Sequence, residues 1–309
     1  MDYRNSRIIR VLILLIAVFS LPSCTGRSLP YPAVEKLELL HFYSINAIPN
    51  LQPSGLTIWQ GYLYSISDKH DTVIYRINIE NDLAFFEPYI SFDTDPPFTN
   101  DRLDFEGLTC DAQGNFYLVS ETQYQILKVD HQTQKAEWIG PNLKDAGAKK
   151  GLFRTRNASL EGICWLGAES FILCAERQPR GILEVFLSTK PEKITAYRLD
   201  QTRFKLPAGR IPDFSDICYY NKKLYVLQRN ADIISTLDMQ NGFTEDKGYS
   251  FAHLFENIQF QYTDMRFGLA EGLAIDEQYI YIVLDNNDDP RLENPTDRRS
   301  WLFVLKNMF

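Results

Sequence analysis

Leu160-Glu161-Gly162-Ile163-Cys164 decides the reading of this 309-residue chain, because four other stretches copy it. They are Pro53-Ser54-Gly55-Leu56-Thr57, Phe105-Glu106-Gly107-Leu108-Thr109, Phe214-Ser215-Asp216-Ile217-Cys218 and Ala270-Glu271-Gly272-Leu273-Ala274. The third residue of each falls at 55, 107, 162, 216 and 272, at spacings of 52, 55, 54 and 56. A fixed period of about 50 residues, filled with strand signals, marks propeller blades. The chain is therefore expected to be all-β, a β-propeller of five four-stranded blades. Six blades is the alternative, if three-stranded blades conceal one.

Each repeat runs in the same order. The motif opens a first strand and a short polar turn follows, as at Asp111–Asn115. A second, strongly alternating strand comes next: Tyr62–Ser67, Phe116–Ser120, Phe171–Ala175, Leu224–Gln228 and Tyr279–Leu284. Third strands are expected at Val73–Ile79, Gln125–Val129, Ile182–Phe186, Ile233–Leu237 and Trp301–Leu305. Four repeats offer a fourth, at Ala84–Ile90, Lys135–Ile139, Ile194–Leu199 and Tyr249–Leu254. The fifth repeat is one strand short, and Leu37–Tyr43 ahead of the first motif is the spare strand that would close it and leave no open edge.

In an antiparallel blade the start of strand one and the end of strand two share one end. The motif places Glu106, Glu161 and Glu271 there, with Ser54 and Ser215 in the other two repeats. Just past the second strands come Asp68, Glu121, Glu176, Arg229 and Asp285. The long connections 91–104, 140–159, 200–213, 255–269 and 286–300 gather on the same side, and rigid sheets that position variable loops mark a functional face. Carboxylates converging on a narrow axis need arginines, a metal or raised pKa values. Arg102, Arg156, Arg210, Arg266, Arg154 and Arg177 make a salt-bridge lattice one reading of this rim. The glycine after each glutamate permits close backbone approach or a positive φ.

The first two dozen residues read as an export segment. Arg4, Arg7 and Arg10 precede an apolar run, Val11–Leu21, too short to span a bilayer as a stable helix. Leu21-Pro22-Ser23-Cys24 resembles the bacterial lipobox, which makes Cys24 the expected lipidation site after cleavage. The expected organisation is a signal peptide over 1–23, a tether over 24–35 and one propeller domain over 36–309. Thr25 after the cysteine leans toward the outer membrane. Asn157-Ala158-Ser159 fits a glycosylation pattern that a bacterial lipoprotein would leave unused. Without residues 1–23 the chain carries 29 basic and 39 acidic residues, a net charge of −10 against −8 for the whole. Such a balance, with no basic cluster, excludes nucleic acid as a partner. Cys110, Cys164, Cys174 and Cys218 sit in apolar runs as buried small side chains, with a Cys164–Cys174 disulfide as the alternative.

The rim inventory favours a hard cation. Ca²⁺ takes about six to eight oxygens, and Glu106, Glu121, Glu161, Glu176, Glu271 and Asp285 are the candidate ligands. Zinc is disfavoured, because none of the four histidines stands at ligand spacing from another. No GxSxG elbow is present. Candidate catalytic residues are Glu161 and Glu271, Arg177 as an oxyanion clamp, and His70 as a general base.

Phe105-Glu106-Gly107-Leu108-Thr109 with Glu121, Leu160-Glu161-Gly162 with Glu176-Arg177, and Ala270-Glu271-Gly272-Leu273-Ala274 with Asp285-Asn286 resemble the repeat signatures of two related propeller groups. One is called esterase-like activity of phytase, or phytase-like; the other is the SdiA-regulated lipoprotein type. The resemblance covers roughly residues 36–308 and implies a secreted or envelope-tethered propeller with a hydrolytic founding annotation. The fourth repeat departs from it, with Ser215-Asp216 in place of Glu-Gly and Arg229 in place of an acid, so a lopsided pocket is expected instead of a symmetric ring. The leading expectation is a metal-assisted ester or phosphoester hydrolase, monomeric and lipid-anchored in the cell envelope. The alternative is a non-catalytic propeller that binds a glycan, peptide or protein partner.

Overall fold

The computed structural model describes residues 32–97 and 102–309. The signal segment, Cys24 and the start of the tether lie outside the described residues. β1 (Val34–Lys36) and β2 (Leu39–Asn46) come first. The first repeat forms β3 (Pro53–Trp59), β4 (Tyr62–Ser67), β5 (Val73–Glu80) and β6 (Leu83–Ser91). The second forms β7 (Phe105–Cys110), β8 (Phe116–Ser120), β9 (Gln125–Val129) and β10 (Ala136–Ile139), followed by the short helix α1 (Lys144–Lys149). The third forms β11 (Leu160–Gly167), β12 (Ser170–Ala175), β13 (Gly181–Phe186) and β14 (Lys193–Arg198). The fourth forms β15 (Asp216–Tyr220), β16 (Lys223–Gln228), β17 (Ile233–Asp238) and β18 (Thr244–Ser250), and the fifth β19 (Ala270–Ile275), β20 (Tyr279–Leu284) and β21 (Trp301–Lys306).

Within each repeat the strands pair antiparallel in chain order. β2 pairs antiparallel with β21, supplying the strand that the fifth repeat lacks. Two parallel contacts complete the pattern: β2 beside β6 over three residue pairs, and β1 beside β18. The fold is all-β, mostly antiparallel and propeller-like. Val34 and Glu35, assigned to the tether by the sequence reading, pair with Gly248 and Tyr249 on a sheet edge.

Apolar layers lie between successive repeats. Tyr64 and Ile74 pack with Phe116 and Leu118, Val119 and Ile126 with Phe171 and Leu173, and Ile172 and Ile182 with Val226 and Leu237. Tyr225 and Ile234 pack with Ile282 and Phe303, and Val283 and Leu302 with Tyr75 and Ile77. Each second strand is covered on both faces, so both of its alternating sets of side chains are mostly buried, the serines and the glutamine among them included.

The motif glycines bring the first strands together. A methyl group on Gly107 would lie 2.7 Å from the Glu161 carbonyl oxygen, and one on Gly162 2.8 Å from the Asp216 Cα. Gly55 faces the Leu108 amide and Gly272 faces the Ser54 carbonyl in the same way. None of the four has a positive φ, so close approach is the reason for glycine here. Gly107→Ala should therefore lower stability by about 2–3 kcal/mol through overpacking against rigid backbone. Chemical denaturation measures this, and an unchanged midpoint would contradict the tight axis.

One expected strand is displaced. The fourth repeat was expected to end with a strand at Tyr249–Leu254, but β18 covers Thr244–Ser250 and Ala252–Glu256 is a 3₁₀ turn. The inward residue of β18 that hides the pattern is Glu245, buried and ion-paired with Arg180 at 2.6 Å. A charged residue at an inward position defeats a reading based on apolar alternation. The four cysteines among the described residues are free. Cys164 lies opposite Ile172, and Cys174 opposite Gly162.

Candidate functional site

The glutamates of the motif are bulge residues. Phe105 pairs with Ser120 and Gly107 with Val119, which leaves Glu106 as the extra residue between them. Glu161 sits likewise between Leu160 and Gly162, and Glu271 between Ala270 and Gly272. A bulge leaves one residue outside the ladder and re-aims its side chain. Backbone hydrogen bonds then fix the residue after each second strand beside the approach to the first. The Glu121 amide donates to the Asp104 carbonyl at 2.9 Å, that of Glu176 to Ser159 at 2.8 Å, and that of Asp285 to Leu269 at 2.8 Å.

These residues surround a funnel of about 360 Å³. Asp68, Asp104, Glu106, Glu121, Glu161, Glu176, Glu271 and Asp285 line it, against only Lys69, Arg102, Arg177 and Arg229 as cations. The predicted metal set thus meets in one cavity, together with Arg177. His70 is not part of the lining. It sits in the β4–β5 turn, where its carbonyl accepts from the Val73 amide at 3.3 Å, while its neighbours Asp68 and Lys69 face the funnel.

Arg229 neutralises one side. Its guanidinium pairs with Glu176 and Glu271, and its Nε lies 3.0 Å from Asp213. Burial works against its charge, yet Glu271, Glu161 and Asp213 hold its pKa above the usual arginine value. Arg177 also pairs with Glu176, Lys69 with Asp68, and Arg102 with Asp104 at 2.6 Å. The salt-bridge lattice therefore accounts for Asp68, Asp104, Glu176 and Glu271. It does not reach Glu106, Glu121, Glu161 or Asp285, which have no ion pair among the described residues.

Those four have only neutral partners or none. Glu106 accepts from the Ser54 hydroxyl at 3.1 Å, Glu121 from the Ser159 amide at 2.8 Å and Asp285 from the Asn287 amide at 2.8 Å. Burial, then the charges of Asp68, Glu121 and Asp104, push the pKa of Glu106 well above the usual range. Burial and Glu106 do the same to Glu161, against the pull of Arg229. Burial also raises Glu121, and burial with Glu271 pushes Asp285 up to about 7. Crowded carboxylates in this state take up either protons or a cation.

Two groups are tight enough to share an ion. Glu121, Glu161 and Glu176 place one oxygen each within 4.8 Å of one another, and so do Asp68, Asp104 and Glu106. The first group has a further feature. Glu176 is 1% exposed, and its Oε2 is buried with no hydrogen-bond partner. An orphaned carboxylate oxygen in that setting fits a cation ligand. No histidine or cysteine lines the funnel among the described residues, and an all-oxygen donor set suits Ca²⁺ or Mg²⁺ over softer metals.

Sequence reasoning did not single out Asp104 and Asp213. Both stand three residues ahead of the third motif residue, where Ser159 stands in the third repeat. That recurrent polar position was the available signal.

The profile of the family described as SdiA-regulated matches residues 97–288, more than half of the sequence, and the chain belongs to that family. Of the two groups that the repeats resemble, this is the one identified. No curated protein matches the sequence. Among solved structures, the glutaminyl cyclase of Myxococcus xanthus is similar with a TM-score of 0.56 and 13% identity, over 89% of this chain and 97% of that one. The PQQ-bound aldose sugar dehydrogenase of Streptomyces coelicolor aligns with a TM-score of 0.49 and 9% identity, over 89% and 99%. At 13% identity the likeness to the cyclase concerns the fold alone. No helix among the described residues is long and apolar enough to cross a membrane.

Proposed function

We propose that this member of the SdiA-regulated family is a divalent-cation-dependent ester or phosphoester hydrolase of the phytase-like kind, working outside the cytoplasm. The observation that carries the reading is the Glu121–Glu161–Glu176 group with its buried, unpartnered Glu176 Oε2. We read the scaffold as five blades, the last closed by β2. The lipobox-like sequence ending at Cys24 supports a lipid-anchored position on the cell envelope, at the outer membrane, facing the periplasm or the exterior. Its partners there are the membrane, through the lipid, and a small ester or an envelope component.

Glu121, Glu161 and Glu176 would hold the cation, with Ca²⁺ the best match to the donor set. When bound, such an ion supplies Lewis acidity to a substrate oxygen. Arg177, beside Glu176, presents positive charge to an oxyanion. Asp285, with its pKa near 7, can hold a proton at Oδ2 and pass it to a departing oxygen. It thereby takes the acid–base part that the sequence reading gave to His70. Glu271, bonded to Arg229, positions that guanidinium rather than touching substrate.

Glu161→Gln tests the reading. Removing a ligand should weaken Ca²⁺ binding and hydrolysis by about 10–100-fold or more. Stability without cation should stay equal or rise, because a crowded buried charge is gone. Hydrolysis across an ester and phosphoester panel, with calorimetric Ca²⁺ titration, measures both. Retained activity in the variant would sink the assignment. Cation binding without hydrolysis in the wild type would make the protein a binding module.

A further inference from the structure

We infer that a second chamber beside the funnel binds an oxyanion group of the substrate, a phosphate or a carboxylate set apart from the bond that is cleaved. Its role as a substrate pocket rests on the hydrolase reading above. The chamber has a volume of about 550 Å³ and shares Arg102, Glu121 and Asn157 with the funnel, so the two spaces adjoin. Its balance of charge differs from that of the funnel. Arg102, already paired with Asp104, lines it together with Lys144 and Arg156, and among the described residues the one carboxylate in its wall is Glu121, which is 6% exposed and held by the Ser159 amide. Neither Lys144 nor Arg156 makes an ion pair among the described residues.

The wall is built, not merely left open. Tyr124 is held at φ +53°, a left-handed conformation costly for a bulky residue. The Leu143 amide fixes its carbonyl at 2.8 Å, and the Asn142 side chain donates to the Gln123 carbonyl at 2.7 Å. The Tyr124 ring packs edge-on to Phe153, with centroids 5.2 Å apart. Lys144 Nζ stands 5.1 Å from that ring, which keeps the ammonium at the chamber without neutralising it. Strain at one residue and two hydrogen bonds thus hold the wall from which a lysine without an ion pair faces the space that Arg156 also lines. An acidic funnel next to a basic chamber suits a substrate whose reacting end goes to the cation site and whose second anionic group goes to Lys144 and Arg156.

Inorganic phosphate, titrated calorimetrically into the purified protein with a chelator present, tests the chamber alone. Succinate serves as the carboxylate probe, and binding of either supports an oxyanion chamber and tells which class it prefers. The double variant Lys144→Ala/Arg156→Ala should weaken the bound probe by about tenfold or more, through loss of two charge-assisted contacts. Its Ca²⁺ affinity should stay within about twofold, which also reports an intact fold. Glu161→Gln should leave probe affinity unchanged. No probe binding in the wild type, or equal binding in the double variant, overturns the chamber whatever the funnel does. Normal probe binding with no Ca²⁺ binding overturns the funnel reading instead.

Discussion

Arg229→Met is expected to lower stability by about 3–5 kcal/mol at pH 8, the usual cost of stripping a buried charge cluster of its counter-ion. The guanidinium is 15% exposed and pairs with Glu176, Asp213 and Glu271. Methionine fills part of the space but leaves three carboxylates facing one another. Burial already raises the pKa of Glu271 and of Asp213 with the arginine present, and Arg229 is what pulls both down. Without it they rise further. A carboxylate whose folded pKa exceeds its unfolded value costs stability above the folded pKa, and the cost fades as pH falls toward the unfolded value. The deficit should therefore be full at pH 8 and clearly smaller at pH 5. Denaturant unfolding at the two values measures it. An equal deficit at both, or one under about 1 kcal/mol, would mean that solvent screens these pairs as it does at a surface.

Asp216→Ala should cost about 3–4 kcal/mol, from unpaired amides and a small cavity at the axis. Asp216 stands where the other repeats carry glycine, and it is fully buried. Its Oδ2 accepts from the Leu273 amide at 2.7 Å and lies 3.4 Å from the Leu56 amide. Its Oδ1 accepts from the Ile217 amide at 2.8 Å. One side chain thus ties the first strands of the fourth, fifth and first repeats together. Burial drives its pKa well up, and the three N–H groups pull it back. Asp216→Asn keeps one acceptor oxygen and turns an NH₂ toward donors, so it should fall between wild type and alanine. A neutral Asp216→Ala would show that the axis has no need of this carboxylate.

Much of the architecture was legible because the axis dictates it. Backbones that approach within van der Waals distance permit only glycine, so Gly55, Gly107, Gly162 and Gly272 recur at a fixed period. Middle strands sandwiched between neighbours are buried on both faces, and the bounds expected for Phe116–Ser120 coincide with β8. The fourth strand of the fourth repeat, β18, differs from its expected bounds because Glu245 faces inward on Arg180, a pairing that spans 65 residues and leaves no local trace. At the funnel the acids were legible from the bulge motif, and the odd Arg229 was read as making the pocket lopsided. Its three ion pairs are the physical content of that asymmetry. Asp104 and Asp213 escaped because they precede the strands, where no periodicity operates. His70 was placed by strand direction alone, and the turn after β4 brings its neighbours to the funnel instead.

The central claim is that Glu121, Glu161 and Glu176 form a divalent-cation site. Calorimetric Ca²⁺ titration of wild type, Glu161→Gln and Glu176→Gln, with the ion located by anomalous diffraction, tests it most directly. The account predicts an ion among these three carboxylates in the wild type and binding weakened by about 10–100-fold or more in each variant. No Ca²⁺ binding in the wild type, or binding that both variants retain, would contradict it.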